Sequence, residues 1–473
     1  MGKKNDLYID YKRSYQKRGR RGGNKGFKSF LILVLAIMLG LLTYYMIRSQ
    51  INLDKNPNKT GSEDNMPKSD DSEDANQIDQ NENFGDTNEV TDTGDNQETS
   101  LEENQKITQI PNEANNKDEP KVEVSDEDET SPDPIVEVDK RIPVKVKGIY
   151  VTSTAARTDK REALIDIVNN TEINAMVIDV KDDHGKITYS MDSEKAREIG
   201  AVTNAISDME SLIRTLKEQN IYLIARIVCF KDPYLAEQRP DLAIRNKDGS
   251  LYRDNRGDLW VNPYKHEVWE YLVEVSSKAA AIGFDEIQFD YIRFSTGKGM
   301  NEVDFGEGSK EKTKEDIILE YTKYAYESLK PLGVFVSADV YGTIISSSID
   351  AGLVGQNYVE MSRYLDYISP MIYPSHFGEG NYGIAYPDLE PLTIVRKVLT
   401  ASKAKLDQIP EGEHRAVVRP WLQDFTASWL KKYKVYGGAE VREQIDGVYA
   451  AGYEEWILWN ASCNYSVDGL IKE

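Results

Sequence analysis

The chain has 473 residues, a formal charge of −22, two cysteines and four histidines. The charge is uneven: residues 1–28 are strongly basic and residues 51–140 strongly acidic, so the acidity describes one stretch and argues against nucleic acid as a partner of an acidic ectodomain. Two cysteines exclude a disulfide-built scaffold, and four histidines in no ligand spacing argue against a dedicated zinc site.

Taken in order, the basic segment 1–28 precedes an uncharged apolar run at 30–47, FLILVLAIMLGLLTYYMI. Eighteen such residues reach the length of a spanning helix, and the basic flank sets the N-terminus in the cytoplasm and everything after residue 50 outside. No small-x-small site follows the run, so it reads as an uncleaved signal anchor over 29–48. Residues 49–140 are rich in Asp, Glu, Asn, Ser and Thr with almost no aromatics. They cannot bury enough apolar surface to offset ordering entropy, and they are expected to form a disordered acidic linker that lifts a domain off the membrane.

From 141 to 473 short apolar runs alternate with amphipathic stretches. The strands expected are 146–153, 175–181, 221–230, 284–294, 334–341, 365–373, 416–421 and 455–460. Helical patterns fill 160–169, 207–219, 265–281, 314–329, 391–406 and 438–451. This alternation predicts a parallel sheet with helical crossovers, and eight units over this length fit an α/β (β/α)8 barrel. A doubly wound open sheet is the alternative, but no Gly-rich phosphate loop follows the first strand. Cys229 and Cys463 fall on non-neighbouring strands and read as small buried hydrophobes.

The fourth strand, in GFDEIQFDYIRFS, is unusual. Glu286, Gln288 and Asp290 alternate with apolar residues, whereas a strand buried on both faces is normally apolar throughout. Inside a barrel that polar stripe faces the axis, and its C-terminal end lies on the catalytic rim. Other strand ends are also polar. Asp179, Lys181, Asp182, Asp183 and His184 end the second strand, and Arg226 lies on the third. Asp339 and Tyr341 end the fifth, and Tyr373 and His376 close the sixth. Trp421, Gln423 and Asp424 end the seventh, and Trp459 and Asn460 the eighth. An acid-rich rim with aromatics suits glycoside hydrolysis, which needs one ionised and one protonated carboxyl group. Asp290 and Asp339, on neighbouring strands, are the candidate pair. Arg293 or Arg226 would keep one of them ionised, and the aromatic faces would carry sugar rings. The rival chemistry is metal-assisted hydrolysis by Asp179, Asp182, Asp183 and His184, whose spacing matches no ligand pattern.

Seven stretches together resemble a bacterial family of glycoside hydrolase domains distantly related to α-amylase-like barrels: KGIYVT, VIDVKDDHG, GFDEIQFDYIRF, SADVYG, ISPMIYPSHF, RPWLQDF and ILWNA. The resemblance covers nearly all of 145–465 and implies a TIM barrel acting on carbohydrate, with no cofactor. By analogy Asp290 is the nucleophile. Amylase-like barrels carry a glutamate acid on the fifth strand where this chain has Asp339, which leaves Asp182 and Asp424 as alternative acids. They also carry an arginine two residues before the nucleophile, where this chain has Gln288, so Arg293 or Arg226 would serve. The expected protein is a membrane-anchored extracytoplasmic hydrolase of a polysaccharide or oligosaccharide. A non-catalytic carbohydrate-binding or envelope-assembly protein on a degenerate barrel, or a metal-dependent glycan esterase, are the alternatives.

Overall fold

The structure is a computed structural model that describes residues 139–471. The expected basic tail, the apolar run at 30–47 and almost all of the acidic stretch lie outside the described residues. Among the described residues no helix is long and apolar enough to cross a membrane.

Eight parallel strands close on themselves. They are β1 (Lys147–Val151), β2 (Ala175–Lys181), β3 (Tyr222–Val228), β4 (Glu286–Asp290), β5 (Phe335–Tyr341), β6 (Tyr367–Ile372), β7 in two pieces (Val417–Val418 and Trp421–Gln423) and β8 (Trp456–Trp459). Each strand pairs with its neighbours in chain order. β8 returns to β1 through Lys147↔Trp456, Gly148↔Ile457 and Ile149↔Leu458. Each expected strand is present, so the barrel expectation holds. β7 runs two residues further than expected, to Gln423. Its break falls at Pro420, which has no N–H for the ladder. The strand still keeps its place, because Arg419 N donates to Ile368 O (3.0 Å) and Pro420 O accepts from Ile457 N (2.9 Å).

The crossovers are α1 (Lys160–Asn170), α2 (Met209–Glu218), α3 (His266–Ala281), α4 (Lys314–Leu329), α5 (Ser348–Val354), α6 (Pro391–Leu406) and α7 (Gly438–Ala450). Local chemistry sets their ends. Thr313 and Asp316 form a reciprocal capping box at the start of α4, and Asp208 accepts from Ser211 N at the start of α2. On α2, Met209, Leu212, Ile213 and Leu216 make the buried face; each such side chain contributes about 1.5–3 kcal/mol by leaving water. No α-helix follows β8 among the described residues. A short turn, Val467–Gly469, packs on α7 instead. The approach is so close that a Cβ on Gly469 would collide with the backbone of Gly438.

β4 is buried on both faces. Phe289 points outward and meets Tyr321 of α4 edge-on (5.6 Å between centroids), while Glu286 points inward. At the lower end of the barrel, Arg419 Nη1 donates to both oxygens of Glu286 (2.9 Å each), and its Nε donates to Glu455 (2.9 Å). Ser337 Oγ and Tyr222 Oη complete Glu286, and the Arg419 guanidinium lies 3.7 Å from the Tyr367 ring centroid. This charged layer closes the floor, with Arg419 and Glu286 at 0% exposure. Cys229 and Cys463 are both free and buried, as expected.

Candidate active site

Asp290 ends β4, and the next residue, Tyr291, has φ +50°. A tyrosine in the left-handed region is strained by about 1–3 kcal/mol unless its surroundings hold it there. Here they do: its ring meets Trp260 edge-on (5.9 Å), with Lys231 Nζ 4.8 Å and the Arg293 guanidinium 5.0 Å from its centroid. The turn aims the Tyr291 N–H back at Asp290 Oδ1 (2.6 Å).

The other oxygen of Asp290 is held from β3. Arg226 is the lateral partner of Gln288, one step below Asp290, and its side chain reaches up. Nε and Nη2 both donate to Asp290 Oδ2 (2.9 and 2.6 Å). Nη1 donates to Asp179 Oδ1 (2.8 Å), and the same guanidinium is 3.3 Å from Asp183. One cation therefore serves three carboxylates. Burial raises Asp179, and Asp183 adds to the rise; Arg226 and the Tyr150 hydroxyl oppose it, leaving Asp179 pushed up to about 6. Burial also works to raise Asp183, but the Arg226 and Lys231 charges outweigh it and hold Asp183 low. Tyr150 Oη donates to Asp179 Oδ2 (2.6 Å), and its ring stacks on Trp459 at 4.2 Å.

Asp339 sits on β5 beside Asp290. The register pairs Phe289 with Ala338, so the two aspartates follow as lateral neighbours on strands about 4.8 Å apart. Asp339 accepts one strong bond, from Trp421 Nε1 to Oδ1 (2.6 Å). It is 2% exposed, and burial followed by the Asp290 charge pushes its carboxyl group well above the usual range. Asp290 is raised as well: burial and the Asp183 charge push it up, and Arg226 and the Tyr291 N–H offset only part of that rise. Three N–H bonds reach Asp290, two of them from a guanidinium, whereas Asp339 takes a single indole N–H. Asp290 is therefore the better-bonded carboxylate of the two, and Asp339 the one held more strongly against ionisation.

A pocket opens over this pair, walled by Asp290, Asp339, Arg293, Tyr291, Tyr341 and Trp421, and beyond them by Tyr373, His376, Phe377, Phe425 and Trp459. The Arg293 guanidinium lies 4.5 Å from the Tyr341 ring centroid and 5.1 Å from that of Trp260. Most of the expected site residues thus meet at one place. Asp179 and Arg226 lie behind it, with Arg226 bonded to both Asp179 and Asp290. Asp182, Gln423, Asp424 and Asn460 are not in the pocket wall, and their side chains serve loops. Asp182 Oδ1 accepts from His184 N (3.0 Å) and Lys186 N (2.8 Å) within its own turn. Gln423 joins Ser375 to Phe425 O, Asp424 accepts from Ser466 N and Oγ, and Asn460 donates to Asp424 O. The second-strand acid cluster is organised around Arg226 and a turn, and His184 is exposed. Among the described residues no group of three or more His, Cys, Asp or Glu is set to hold a metal.

Sequence reasoning passed over Phe377, Phe425, Met371, Gly342 and Thr343 in the pocket and Tyr150 behind it. Phe425 and Met371 stand inside motifs already recognised, but in loops or beside a proline, where no periodicity assigns a face. Tyr150 had a usable signal: it alternates with Gly148 along β1, which puts both on one face.

The family described as "putative glycosyl hydrolase domain" matches residues 148–465, which takes in the barrel from Gly148 of β1 through β8. The chain belongs to this glycosyl hydrolase family. Solved structures similar to the domain include a hypothetical protein from Ruminiclostridium thermocellum ATCC 27405 (41% identity over 41% of this chain and 97% of that one, TM-score 0.38). Others are the PgaB (BpsB) glycoside hydrolase domain from Bordetella bronchiseptica (13% identity, 67% and 94% covered, TM-score 0.47) and the Bacillus megaterium QM B1551 spore cortex-lytic enzyme SleL (12% identity, 69% and 74% covered, TM-score 0.41). No curated protein matches the chain. In this glycosyl hydrolase domain the carboxyl pair and its pocket lie at the C-terminal ends of β4 and β5, the rim where barrels of this architecture do their chemistry.

Proposed function

We propose that the chain is a membrane-tethered, extracytoplasmic glycoside hydrolase that cleaves a polysaccharide of the cell envelope, with Asp290 as nucleophile and Asp339 as general acid. One observation carries the reading: two neighbouring carboxyl groups share a pocket, yet Arg226 and the Tyr291 N–H grip one while the other receives only the Trp421 indole. In the first step the Asp339 proton passes to the glycosidic oxygen as its bond to the anomeric carbon breaks. Asp290 Oδ1 or Oδ2 then forms an ester with that carbon. In the second step Asp339, now ionised, takes a proton from water, and the resulting hydroxide displaces Asp290. The lateral placement on adjacent strands favours the carboxyl spacing of about 5–5.5 Å that accompanies retention, rather than the 6.5–9.5 Å of inversion. The tether comes from the apolar run at 30–47 with its basic flank, and its location beside the envelope suggests the substrate.

The test is Asp290→Asn. Wild type releases reducing ends from envelope polysaccharide, and the variant binds the same glycan without releasing them. Equal binding with no release by either protein would leave a carbohydrate-binding barrel and remove the enzyme. Activity lost to chelator and restored by a divalent cation would favour a metal-dependent esterase. For the tether, protease added to intact spheroplasts is expected to digest the barrel domain; full protection would overturn the extracytoplasmic placement.

A further inference from the structure

The aromatic wall does not stop at the pocket. Tyr373 meets His376 (5.2 Å between centroids) and Phe425 (5.9 Å), both edge-on. His376 in turn lies 6.4 Å from Trp429, which is outside the pocket wall, and Phe425 and Trp429 are near-parallel, 21° apart with centroids 6.0 Å apart. The two rings are stacked on one another, so Trp429 carries the aromatic wall one ring further out than Phe425. Both are only partly buried.

The loop that carries these two rings is held in place. Gln423 Nε2 donates to Phe425 O (2.9 Å), Tyr436 N donates to Thr426 Oγ1 (3.0 Å), and Lys434 N donates to Asp388 Oδ2 (2.9 Å). Asp388 belongs to the neighbouring loop and is 3% exposed; Ala427, between the two rings in sequence, is 0% exposed. A loop fixed by its backbone, with partly buried aromatic rings beside an open pocket, is ready to bind a flat apolar face without paying to order itself.

We infer that Trp429, stacked on Phe425 at the pocket's edge, forms a second glycan subsite beyond the catalytic pocket, so that the substrate is a polymer running from the pocket across the loop after β7. The inference rests on the carbohydrate reading of the pocket. It makes the protein a binder of internal stretches of a chain, and binding energy gathered at Trp429 supports positioning at the Asp290–Asp339 pair.

The experiment measures calorimetric binding to the full-length chain carrying Asp290→Asn, with and without Trp429→Ala. The probes are hexasaccharides and disaccharides of β-1,4-glucose, β-1,4-N-acetylglucosamine, β-1,4-galactose and α-1,4-glucose. At least one hexasaccharide is expected to bind, and Trp429→Ala is expected to weaken it about tenfold. Trp429→Phe should restore most of the affinity, and the matching disaccharide should be insensitive to both changes. No binding by any hexasaccharide, equal weakening of hexasaccharide and disaccharide, or no weakening at all would each overturn the subsite. Trp429-dependent binding of a hexasaccharide that the wild-type chain does not cleave would instead keep the subsite and discard the hydrolase.

Discussion

Two charged layers stand one above the other in the same barrel, and β4 contributes a carboxylate to each. Glu286 in the floor and Asp290 at the rim are four residues apart on one face of one strand, both gripped by a buried arginine. The floor is closed: Glu286 has both oxygens on Arg419, a hydroxyl from Ser337 and another from Tyr222. The rim is short of donors: Arg226 divides itself among Asp290, Asp179 and Asp183, and among the described residues Asp339 takes only the Trp421 indole. In the floor the carboxylate's bonding capacity is filled, although Arg419 Nη2 has no hydrogen-bond partner among the described residues; at the rim the two carboxyl groups are filled unequally beside an opening.

The largest effect that would test this contrast is on rate. Asp339→Asn is expected to lower kcat by about 10²–10⁴, the usual contribution of a positioned acid, in an assay of reducing-end release. The same variant should be more stable than wild type at neutral pH. The folded carboxyl group of Asp339 is raised above its unfolded value, so its contribution to stability is intact below about pH 4 and is lost as pH rises through the folded value. Urea midpoints of the two proteins should therefore coincide in acid and diverge above about pH 4, with the variant ahead. A midpoint difference independent of pH would remove the protonated-acid assignment.

The floor is expected to answer in stability instead. Arg419→Met strands Glu286 and Glu455 with no cation, and breaking a buried pair in this way costs about 3–5 kcal/mol, readable by urea unfolding. The folded fraction should keep the wild-type pH profile. A shifted profile would mean that the two layers communicate.

Much of this contrast was legible before the fold was known, because a period-2 polar stripe on an otherwise apolar strand has few explanations. Asp290 and Asp339 stood out for that reason. The choice of arginine was not legible. Arg293 is close in sequence and Arg226 is remote, and only the β3–β4 register, Arg226 beside Gln288, brings the remote one to Asp290. Asp182 is set apart for a related reason: the pairing of β2 with β3 slips between Asp179 and Lys181, and beyond the slip Asp183 faces Arg226 while Asp182 accepts from His184 N and Lys186 N in its own turn. Asp424 and Asn460 stand at strand ends but serve the loops that leave them. Phe425 and Trp429 lie on a loop without periodicity, so nothing local sets their direction.

Arg226→Lys should produce a smaller, diagnostic change. An ammonium cannot fork among three carboxylates, so Asp290 loses part of the charge that opposes its burial and its carboxyl group moves up. In the proposed mechanism Asp290 must be ionised, so the acid limb of kcat/KM should move to higher pH, by about one unit, while the limb assigned there to Asp339 stays closer to its wild-type place. An acid limb that does not move would transfer the tuning role from Arg226 to another group.

The smallest effect is expected between the layers. Gln288 is 0% exposed, its Nε2 makes one long bond to Ser369 Oγ (3.4 Å), and its Oε1 has no hydrogen-bond partner among the described residues. A buried amide so poorly bonded contributes little net stability, since the desolvation cost of its carbonyl offsets the one bond it makes. Gln288→Met, similar in volume, should change the unfolding free energy by less than about 1 kcal/mol and leave the pH profile in place. If that variant instead moved the acid limb, Gln288 would be part of the Arg226–Asp290 unit. Its position two residues before Asp290 would then share the contact that in this chain Arg226 of β3 makes.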